Sequence, residues 1–361
     1  MRRDVGAFGH RSLGLRIRPV ASNPRLQDGN PIESRQGAST IVVLATGGTI
    51  AGTAGSASDH LGYTAAQLGI EPLLASVPEL TGVPIESEQV AQIDSKDMSH
   101  AIWQTLALRV AHHLARVEVA GIVVTHGTDT LEETAYFLHR VLVCSKPVVL
   151  TGAMRPATSS EADGPQNLLD AVALARDPGV GGVLAVLAGT VHDARQVRKV
   201  HPRRLDAFSS GDAGPLGVIE NGRLREVVRA SQEWADHDGG AGALPPISVA
   251  LTRPVSTWPR VEIVFSHAGA SGAVVRALCA EGAERIDGLV VAATGNGTLH
   301  HDLEAALLKA QSHGIAVLLS LRCADGRLLP AASHRLPGAD DLTPVKARIE
   351  LMLELMQRTP P

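Results

Sequence analysis

Hydrophobic and polar positions alternate in a regular way along the chain from residue 40 onward. Short apolar runs rich in β-branched residues predict strands, and longer segments with apolar residues at helical spacing predict helices. The predicted strands are residues 40–45, 121–125, 147–151, 183–187, 247–250, 261–265, 288–292 and 315–319. The predicted helices are residues 99–117, 131–143, 165–176, 271–281 and 302–313, and a last helix that opens at Thr343 and Pro344. Before the helix at 131–143, Thr130 and Glu133 have the spacing of a capping box.

Alternating strands and helices are typical of an α/β protein. The pattern changes near residue 220, where two apolar runs flank Asn221-Gly222 as in a tight hairpin. Residues 231–259 are then rich in Gly and Pro. We therefore predict a larger N-terminal domain at 38–230, with a mostly parallel sheet flanked by helices. A linker at 231–244 and a smaller C-terminal α/β domain at 245–361, also with a parallel sheet, complete the prediction.

The first 37 residues differ in composition from the rest of the chain. They contain seven Arg and no Lys, with many Gly, Pro, Asn and Ser residues, and they lack the apolar core of a secretory signal. We expect a flexible N-terminal extension here rather than a targeting or nucleic-acid-binding arm, and we expect a cytoplasmic protein. The sequence also has no apolar run of about 18 residues, so we expect no transmembrane helix.

The overall composition limits the classes of partner. A net charge of −4 and a pI near 6.4 offer no electrostatic attraction to nucleic acids or anionic membranes. Aromatic residues make up 2% of the chain, which argues against a surface for stacking bases. The three cysteines form no CxxC pair, and His112-His113 and His300-His301 lack a third ligand at metal-binding spacing. We therefore expect no metal site.

Polar residues follow the strands of the predicted N-terminal domain. Their loops are TGGT at 46–49, THGTDT at 125–130, GAMRP at 152–156 and GTVHDARQVRK at 189–199. In an open parallel sheet, ligands bind beyond the carboxyl ends of the strands. The loops therefore bring hydroxyls, a carboxylate and cations to one edge, which predicts a functional site there.

The first of these loops allows three interpretations. A phosphate cradle would need a Lys before its hydroxyl, and this loop has none. A structural turn, in which the hydroxyls only bind backbone groups, stays open. A hydroxyl nucleophile stays open too, because the N–H groups of a glycine-rich turn can stabilise an oxyanion.

The second and fourth loops contain the partners that such a nucleophile needs. Thr128 and Asp129 place a hydroxyl beside a carboxylate, although Asp129 would also serve as a helix cap. Lys199 is one of five lysines in an Arg-rich chain. If buried it would act as a base for a threonine, and if exposed it would be only a surface charge. His126 precedes a glycine in the turn, and we expect it to be a structural histidine.

These segments together resemble a known family, the bacterial L-asparaginase/glutaminase amidohydrolases with a threonine nucleophile. The resemblance rests on ATGGTIAG at 45–52, THGTDTLEETAYFL at 125–138, KPVVLTGAMRP at 146–156, ADGPQNL at 162–168, GPLG at 214–217 and GNG at 295–297. It extends from about residue 40 to residue 357. It implies two α/β domains, a homo-oligomer (dimer or tetramer), and hydrolysis of a side-chain amide through an acyl-enzyme, without metal or cofactor.

The resemblance also implies roles for individual residues. It suggests Thr49 as the nucleophile, with Tyr63 on a mobile loop beside it. The second catalytic cluster that it implies consists of Thr128, Asp129 and Lys199. The substrate contacts that it implies are Gly48, Ser95, Lys96, Thr128, Asp129, Ala153 and Asn296, the last of which reaches a neighbouring subunit's site. Of the two threonines in the first loop, we expect Thr49 to attack and Thr46 to serve the turn.

Two departures from the family pattern affect these roles. The family usually has Gln where this chain has Lys96. Lys96 would bind the substrate carboxylate, pair with Asp129 or point to solvent. The family also often supplies an intersubunit Glu from the loop before the last helix, but the residues between Arg322 and Thr343 include no Glu. We therefore assign no carboxylate partner to Tyr63.

The resulting prediction is an L-asparaginase that converts L-asparagine into L-aspartate and ammonia. Some glutaminase activity stays open, because the two substrates differ by one methylene. One alternative is a non-catalytic amino-acid-binding or regulatory protein on the same scaffold. The other is the amidase subunit of a tRNA-dependent amidotransferase, which would usually bring an added N-terminal domain.

Overall fold

The computed structural model describes residues 40–53, 56, 64–226, 248–280, 282, 284 and 286–358. The predicted extension at 1–37, the predicted linker at 231–244 and Tyr63 lie outside these residues.

The strands and helices of the described chain are numbered here in chain order. The strands are β1 Thr40–Gly47, β2 Ile85–Ile93, β3 Val119–Thr125, β4 Val148–Thr151, β5 Val183–Leu187, β6 Thr190–Asp193, β7 Arg198–Lys199, β8 Phe208–Ser209, β9 Gly217–Glu220, β10 Arg223–Glu226, β11 Val261–Phe265, β12 Gly288–Ala293 and β13 Ala316–Leu321. The helices are α1 Ile70–Ala75, α2 His100–Leu114, α3 Leu131–Val141, α4 Gly164–Ala175, α5 Val249–Thr252, α6 Ala273–Leu278, α7 His301–Ser312 and α8 Pro344–Arg358.

Two main sheets organise the described residues. The larger one has eight strands in the order β10-β9-β6-β5-β4-β3-β1-β2, parallel from β5 to β2 and antiparallel where β6, β9 and β10 join. The smaller one is parallel, in the order β11-β12-β13. The predicted α/β class, with a larger, mostly parallel sheet and a smaller parallel sheet, is confirmed. The domain boundaries at 38–230 and 245–361 stay a prediction.

Helices cover both faces of the larger sheet. Every residue of β1 after Thr40 is buried, as expected for a central parallel strand. Val42 and Leu44 pack with residues of α2 and α3, whereas Ile41 and Val43 pack with residues of α1 and α4. Successive side chains of a strand point to opposite faces, so this continuous apolar run supplies both layers of core.

Helix α8 connects the packing of the two sheets. Its residues Ile349 and Leu353 share one core cluster with residues of α3, β11 and β12. Toward α3, Glu350 accepts hydrogen bonds from Tyr136 Oη at 2.8 Å and from Arg140 Nε at 2.7 Å. The last helix therefore packs directly against the element that follows β3.

The carboxyl ends of four neighbouring parallel strands lie at one edge of the larger sheet. Thr125 of β3 is in register with Ala45 of β1 and with Thr151 of β4. Gly47 of β1 is in register with Ile93 of β2. The loops that follow these four strands therefore begin side by side.

The predicted strand at 247–250 is wrong. Val249–Thr252 form helix α5, and residue 247 lies outside the described residues. So short an apolar run has no periodicity that separates strand from helix. Tertiary packing decides instead, because Ala250 is buried in the core and its carbonyl accepts a hydrogen bond from Gln104 Nε2 of α2 at 2.8 Å.

Thr130 does not form the predicted capping box. It is the N-cap residue of α3, but its side chain makes no capping hydrogen bond. Its hydroxyl donates instead to the backbone carbonyl of Ser95 at 2.8 Å. A hydrogen bond to the loop after β2 therefore replaces the capping hydrogen bond within α3.

The segment after β5 is a hairpin rather than a single loop at the edge of the sheet. Ala188 and Gly189 turn the chain with positive φ, and β6 then pairs antiparallel with β5. Lys199 follows in β7. Its approach to the other polar residues therefore depends on this hairpin, which strand-end reasoning did not predict.

Candidate active site

The turn after β1 lies against the turn after β3. Gly47 and Gly48 have φ of 104° and 84°, a region that favours glycine. A Cβ atom added to Gly48 would lie 2.3 Å from Gly127 Cα, so a side chain at Gly48 would clash with the second turn. Because Thr49 follows Gly48 and Thr128 follows Gly127, this contact brings the two threonine segments together.

The two threonines of the first turn differ in their surroundings. Thr46 is buried, and its hydroxyl donates to the carbonyl of Thr125 at 3.0 Å. This bond joins β1 to β3 and gives the Thr46 hydroxyl a structural partner, as expected for a threonine that does not attack the substrate. Thr49 is also buried and begins a 3₁₀ helix, Thr49–Ala51, beyond the glycines.

Lys199 joins the carboxylate and hydroxyl of the second turn. Its Nζ donates to Thr128 Oγ1 at 2.8 Å and to Asp129 Oδ1 at 2.6 Å. The Lys199 side chain is 15% exposed, whereas that of Asp129 is 57% exposed. The structure thus brings the three predicted residues together, with a largely buried amine on the hydroxyl and a carboxylate open to a ligand.

Ser95 lies directly beneath the second turn. It is buried, and its Oγ accepts the backbone N–H of Asp129 at 3.2 Å. A Cβ atom on Gly127 would be 2.5 Å from this Oγ, so only glycine allows the approach. Within the described residues the Ser95 hydroxyl proton has no acceptor, and it can donate to a bound ligand.

The loop after β4 is held by two residues whose roles the sequence did not predict. The Asp163 carboxylate accepts the backbone N–H groups of Met154 and Arg155, each at 2.9 Å. Asn167 donates to the carbonyl of Gly152 at 2.9 Å. The ADGPQNL segment contains both residues, so its polar positions were the available signal. Ala153, which lies between these hydrogen-bonded residues, is buried and packs in the core.

Lys96 does not contact Asp129 in this structure. Its ammonium pairs with Asp97 at 2.6 Å and with Asp94 at 3.4 Å, and its side chain is 61% exposed. The hydrogen bond from Lys96 to Asp97 is the main cause that raises the pKa of Lys96. Of the three possibilities for Lys96, pairing with Asp129 is therefore not realised, and its predicted contact with substrate stays a prediction.

Asn296 makes two hydrogen bonds with the backbone of Leu329. Its Nδ2 donates to the carbonyl at 3.0 Å, and its Oδ1 accepts the N–H at 2.8 Å. Asn296 is exposed. Its predicted role in a neighbouring subunit's site stays a prediction, and that of Tyr63 falls outside the described residues.

His126 is a structural residue, as predicted. Its Nδ1 donates to the carbonyl of Gly127 at 2.6 Å, and its Nε2 accepts the hydroxyl of Thr134 at 2.9 Å. The Thr134 oxygen in turn accepts Trp103 Nε1 at 2.8 Å. Complete burial lowers the pKa of His126 to about 4, so the ring is neutral and both its nitrogens are used.

One detail of the metal prediction needs correction. His300 and His301 do have a third potential ligand, since atoms of these two and of Asp302 lie within 4.8 Å of one another. His300 Nδ1 already accepts the backbone N–H of Asp302, where it caps α7.

Among the described residues no helix has both the length and the apolarity to cross a membrane.

Known proteins that resemble this chain in sequence or fold include asparaginases. The family profile "Asparaginase, N-terminal" matches residues 40–231, and "Glutaminase/Asparaginase C-terminal domain" matches residues 260–361. L-asparaginase 2 of Escherichia coli (strain K12) is 39% identical over 330 residues, or 89% of this chain and 90% of that protein. The glutaminase-asparaginase of Pseudomonas fluorescens biotype A is 35% identical over 353 residues, or 94% and 91% of the two chains.

A solved structure extends the likeness to the fold. The crystal structure of a probable cytoplasmic L-asparaginase from Campylobacter jejuni has a TM-score of 0.79 and 37% sequence identity. The match covers 88% of this chain and 95% of that one. The chain belongs to the asparaginase family.

Proposed function

We propose that this protein is an L-asparaginase, which hydrolyses L-asparagine to L-aspartate and ammonia. The observation that carries the proposal is the 2.8 Å contact of Lys199 Nζ with Thr128 Oγ1, in a turn that packs against Gly48 beside Thr49. The names of two relatives, an L-asparaginase 2 and a glutaminase-asparaginase, support the substrate.

In the reaction that we propose, Thr49 is the nucleophile. Its hydroxyl oxygen attacks the side-chain amide carbon, and backbone N–H groups of the two glycine-rich turns stabilise the oxyanion. In its neutral form Lys199 accepts the Thr49 hydroxyl proton through Thr128. The same pair then delivers this proton to the leaving nitrogen, which departs as ammonia. Water then cleaves the ester between Thr49 and the aspartyl group, which frees aspartate. No metal or cofactor takes part.

The substrate's α-groups have complementary partners on the same side of the turn. The exposed Asp129 carboxylate suits the α-ammonium, and the Ser95 hydroxyl suits the α-carboxylate. Gly48 and Ala153 would line the pocket by their backbones, and the exposed Lys96, already paired with Asp94 and Asp97, would contribute little to binding.

Glutamine is a second substrate to consider. It is longer than asparagine by one methylene, which a pocket discriminates by about 1–3 kcal/mol. We therefore propose asparagine as the preferred substrate with some hydrolysis of glutamine.

The two alternative functions, a non-catalytic binding protein and an amidotransferase subunit, have no observation in their favour. A non-catalytic binder would not need both Thr49 and the Thr128–Lys199 pair.

We further propose a cytoplasmic homo-oligomer, either a dimer or a tetramer. The similarity to the Campylobacter jejuni protein, a probable cytoplasmic L-asparaginase, supports the location. The predicted role of Asn296 motivates the assembly. Light scattering at several protein concentrations tests the assembly. A monomer at all concentrations would contradict it.

Ammonia release from L-asparagine tests the proposed activity. We expect the wild type to release ammonia, and we expect Thr49→Ala and Thr128→Val each to lower kcat on the order of 10³-fold or more. Thr46→Val is the matched control, because Thr46 donates to a backbone carbonyl away from the reacting groups. A wild type that binds asparagine but releases no ammonia would show that the proposal is wrong.

A further inference from the structure

The position of Lys199 depends on a short stretch of backbone. Its ammonium contacts two groups, Thr128 Oγ1 and Asp129 Oδ1, from the two-residue strand β7. Its backbone N–H donates to Glu132 Oε2 of α3 at 2.8 Å, which fixes one point. The antiparallel pairing of Lys199 in β7 with Phe208 in β8 supports it from the chain that follows. The segment that precedes β7 supplies further support.

Lys346 of α8 holds that preceding segment. Its Nζ donates to the carbonyls of Arg195 at 2.7 Å and Ala194 at 3.2 Å, and also to that of Val197. Lys346 is 1% exposed. An ammonium has three N–H donors, and these three carbonyls of one segment can accept all of them.

Asp341, shortly before α8, contacts the same segment. Its carboxylate accepts hydrogen bonds from Arg195 Nη2 and, at 2.7 Å, from Gln196 Nε2. Residues 194–197 are therefore held by the C-terminal region through both backbone and side chains.

Packing alone does not explain a lysine at this position. Burial lowers the pKa of Lys346 to about 8, with Arg195 and Arg198 adding to the effect and Glu132 and Asp193 opposing it. A buried ammonium costs free energy that an apolar side chain of similar length would not. The directed hydrogen bonds to the segment are the feature that only the ammonium supplies.

We propose that Lys346 is a positioning residue for Lys199. Its ammonium fixes the carbonyls of residues 194–197, and this sets the backbone from which Lys199 reaches Thr128 and Asp129. The catalytic consequence rests on the proposed function, because it requires that Lys199 take part in the reaction. The geometric consequence, the position of Lys199 Nζ on Thr128 and Asp129, does not depend on the proposed function.

Kinetics of Lys346→Met test the catalytic consequence. Methionine is similar in length and apolar, so it removes the three donors and leaves the site filled. We expect kcat for asparagine to fall on the order of 100-fold, as for a misplaced catalytic group, with KM changed less than about 3-fold. Lys309→Met, on the exposed side of α7, is the control and should leave both unchanged.

A double-mutant cycle separates positioning from a general structural effect. In a Lys199→Met background, Lys346→Met should lower kcat no further, because the group that it positions is gone. Multiplied losses in the double variant would overturn the proposal. So would an unchanged kcat in Lys346→Met itself.

Crystal structures of the variants give a readout that needs no activity. We expect Lys346→Met to displace residues 194–199 and to lose the contact of Lys199 Nζ with Thr128 Oγ1. If this variant does not fold, Lys346→Gln, which keeps an amide donor, should show the same changes to a smaller degree. A folded variant that keeps the contact at the wild-type distance would overturn the proposal. If the wild type releases no ammonia, the proposed function fails and the crystal structures still decide the positioning.

Discussion

At the scale of single residues, position relative to a strand end decides what a hydroxyl can do. Thr46 lies within β1 and is bonded to β3, whereas Thr49 lies beyond two glycines at the contact between the turns. The sequence predicts the different roles, but it ends the strand at residue 45, whereas β1 extends to Gly47. It could not predict the partners of Lys96, because the 3₁₀ helix Ser95–Asp97 brings two carboxylates to one ammonium.

Replacing Lys96 tests how far it contributes to binding. Since Asp94 and Asp97 already pair with its exposed ammonium, we expect Lys96→Gln to change KM for asparagine and glutamine less than about 3-fold. Steady-state kinetics on both amides are the measurement. A rise in KM of about 10-fold or more would mean that Lys96 binds the substrate carboxylate.

At the scale of elements, the site is built by the contact between two glycine turns. The strands β1, β3, β4 and β5 were predictable, because strands buried on both faces give continuous apolar runs. Strand β2 was not predicted, since exposed Glu and Gln residues interrupt its apolar pattern. The contact of Gly48 with Gly127 depends on the register of neighbouring strands, and sequence spacing alone does not reveal that register.

Substitution of Gly48 by alanine tests this contact. Gly82 is a matched control, because its φ of +85° equals that of Gly48 within a degree but an added Cβ would have nothing within 4 Å. Both variants should suffer a backbone cost from positive φ, and this cost should be larger at Gly48, whose ψ of −172° places it in a region that essentially only glycine adopts. Only Gly48→Ala should also clash with Gly127, so we expect it to unfold at lower denaturant and to lose activity about 100-fold or more. Equal losses in stability and activity for the two variants would contradict the account.

At the scale of the whole molecule, the α/β class and its two sheets followed from the alternation of strands and helices. The hydrogen bonds between α8 and the segment before Lys199 could not be predicted from the sequence. They join residues about 150 positions apart, and nothing in the local hydrophobic pattern of either segment indicates a contact. At such tertiary contacts His126 and His192 are buried, and His100 is half-buried. Burial lowers the pKa values of His100, His126 and His192 to about 4.

These histidines predict a loss of stability in acid. Below about pH 6.5 the unfolded chain binds protons that the folded protein excludes, so the free energy of unfolding falls as the pH drops toward 4. Each histidine contributes up to about 3 kcal/mol to this loss. Urea unfolding at several pH values should show a shallower decline for His192→Gln, while the exposed His301→Gln follows the wild type. Equal stability at pH 7.5 and pH 5 would contradict the prediction.

Under the proposed function, Thr49 forms the ester intermediate in asparagine hydrolysis. Acid quenching during turnover, followed by intact mass and peptide mapping, measures this directly. We predict an aspartyl adduct on the peptide that contains Thr49 in the wild type, and no adduct in Thr49→Ala. An adduct on Thr128 or on another residue, or turnover that persists in Thr49→Ala at the wild-type rate, would contradict the account.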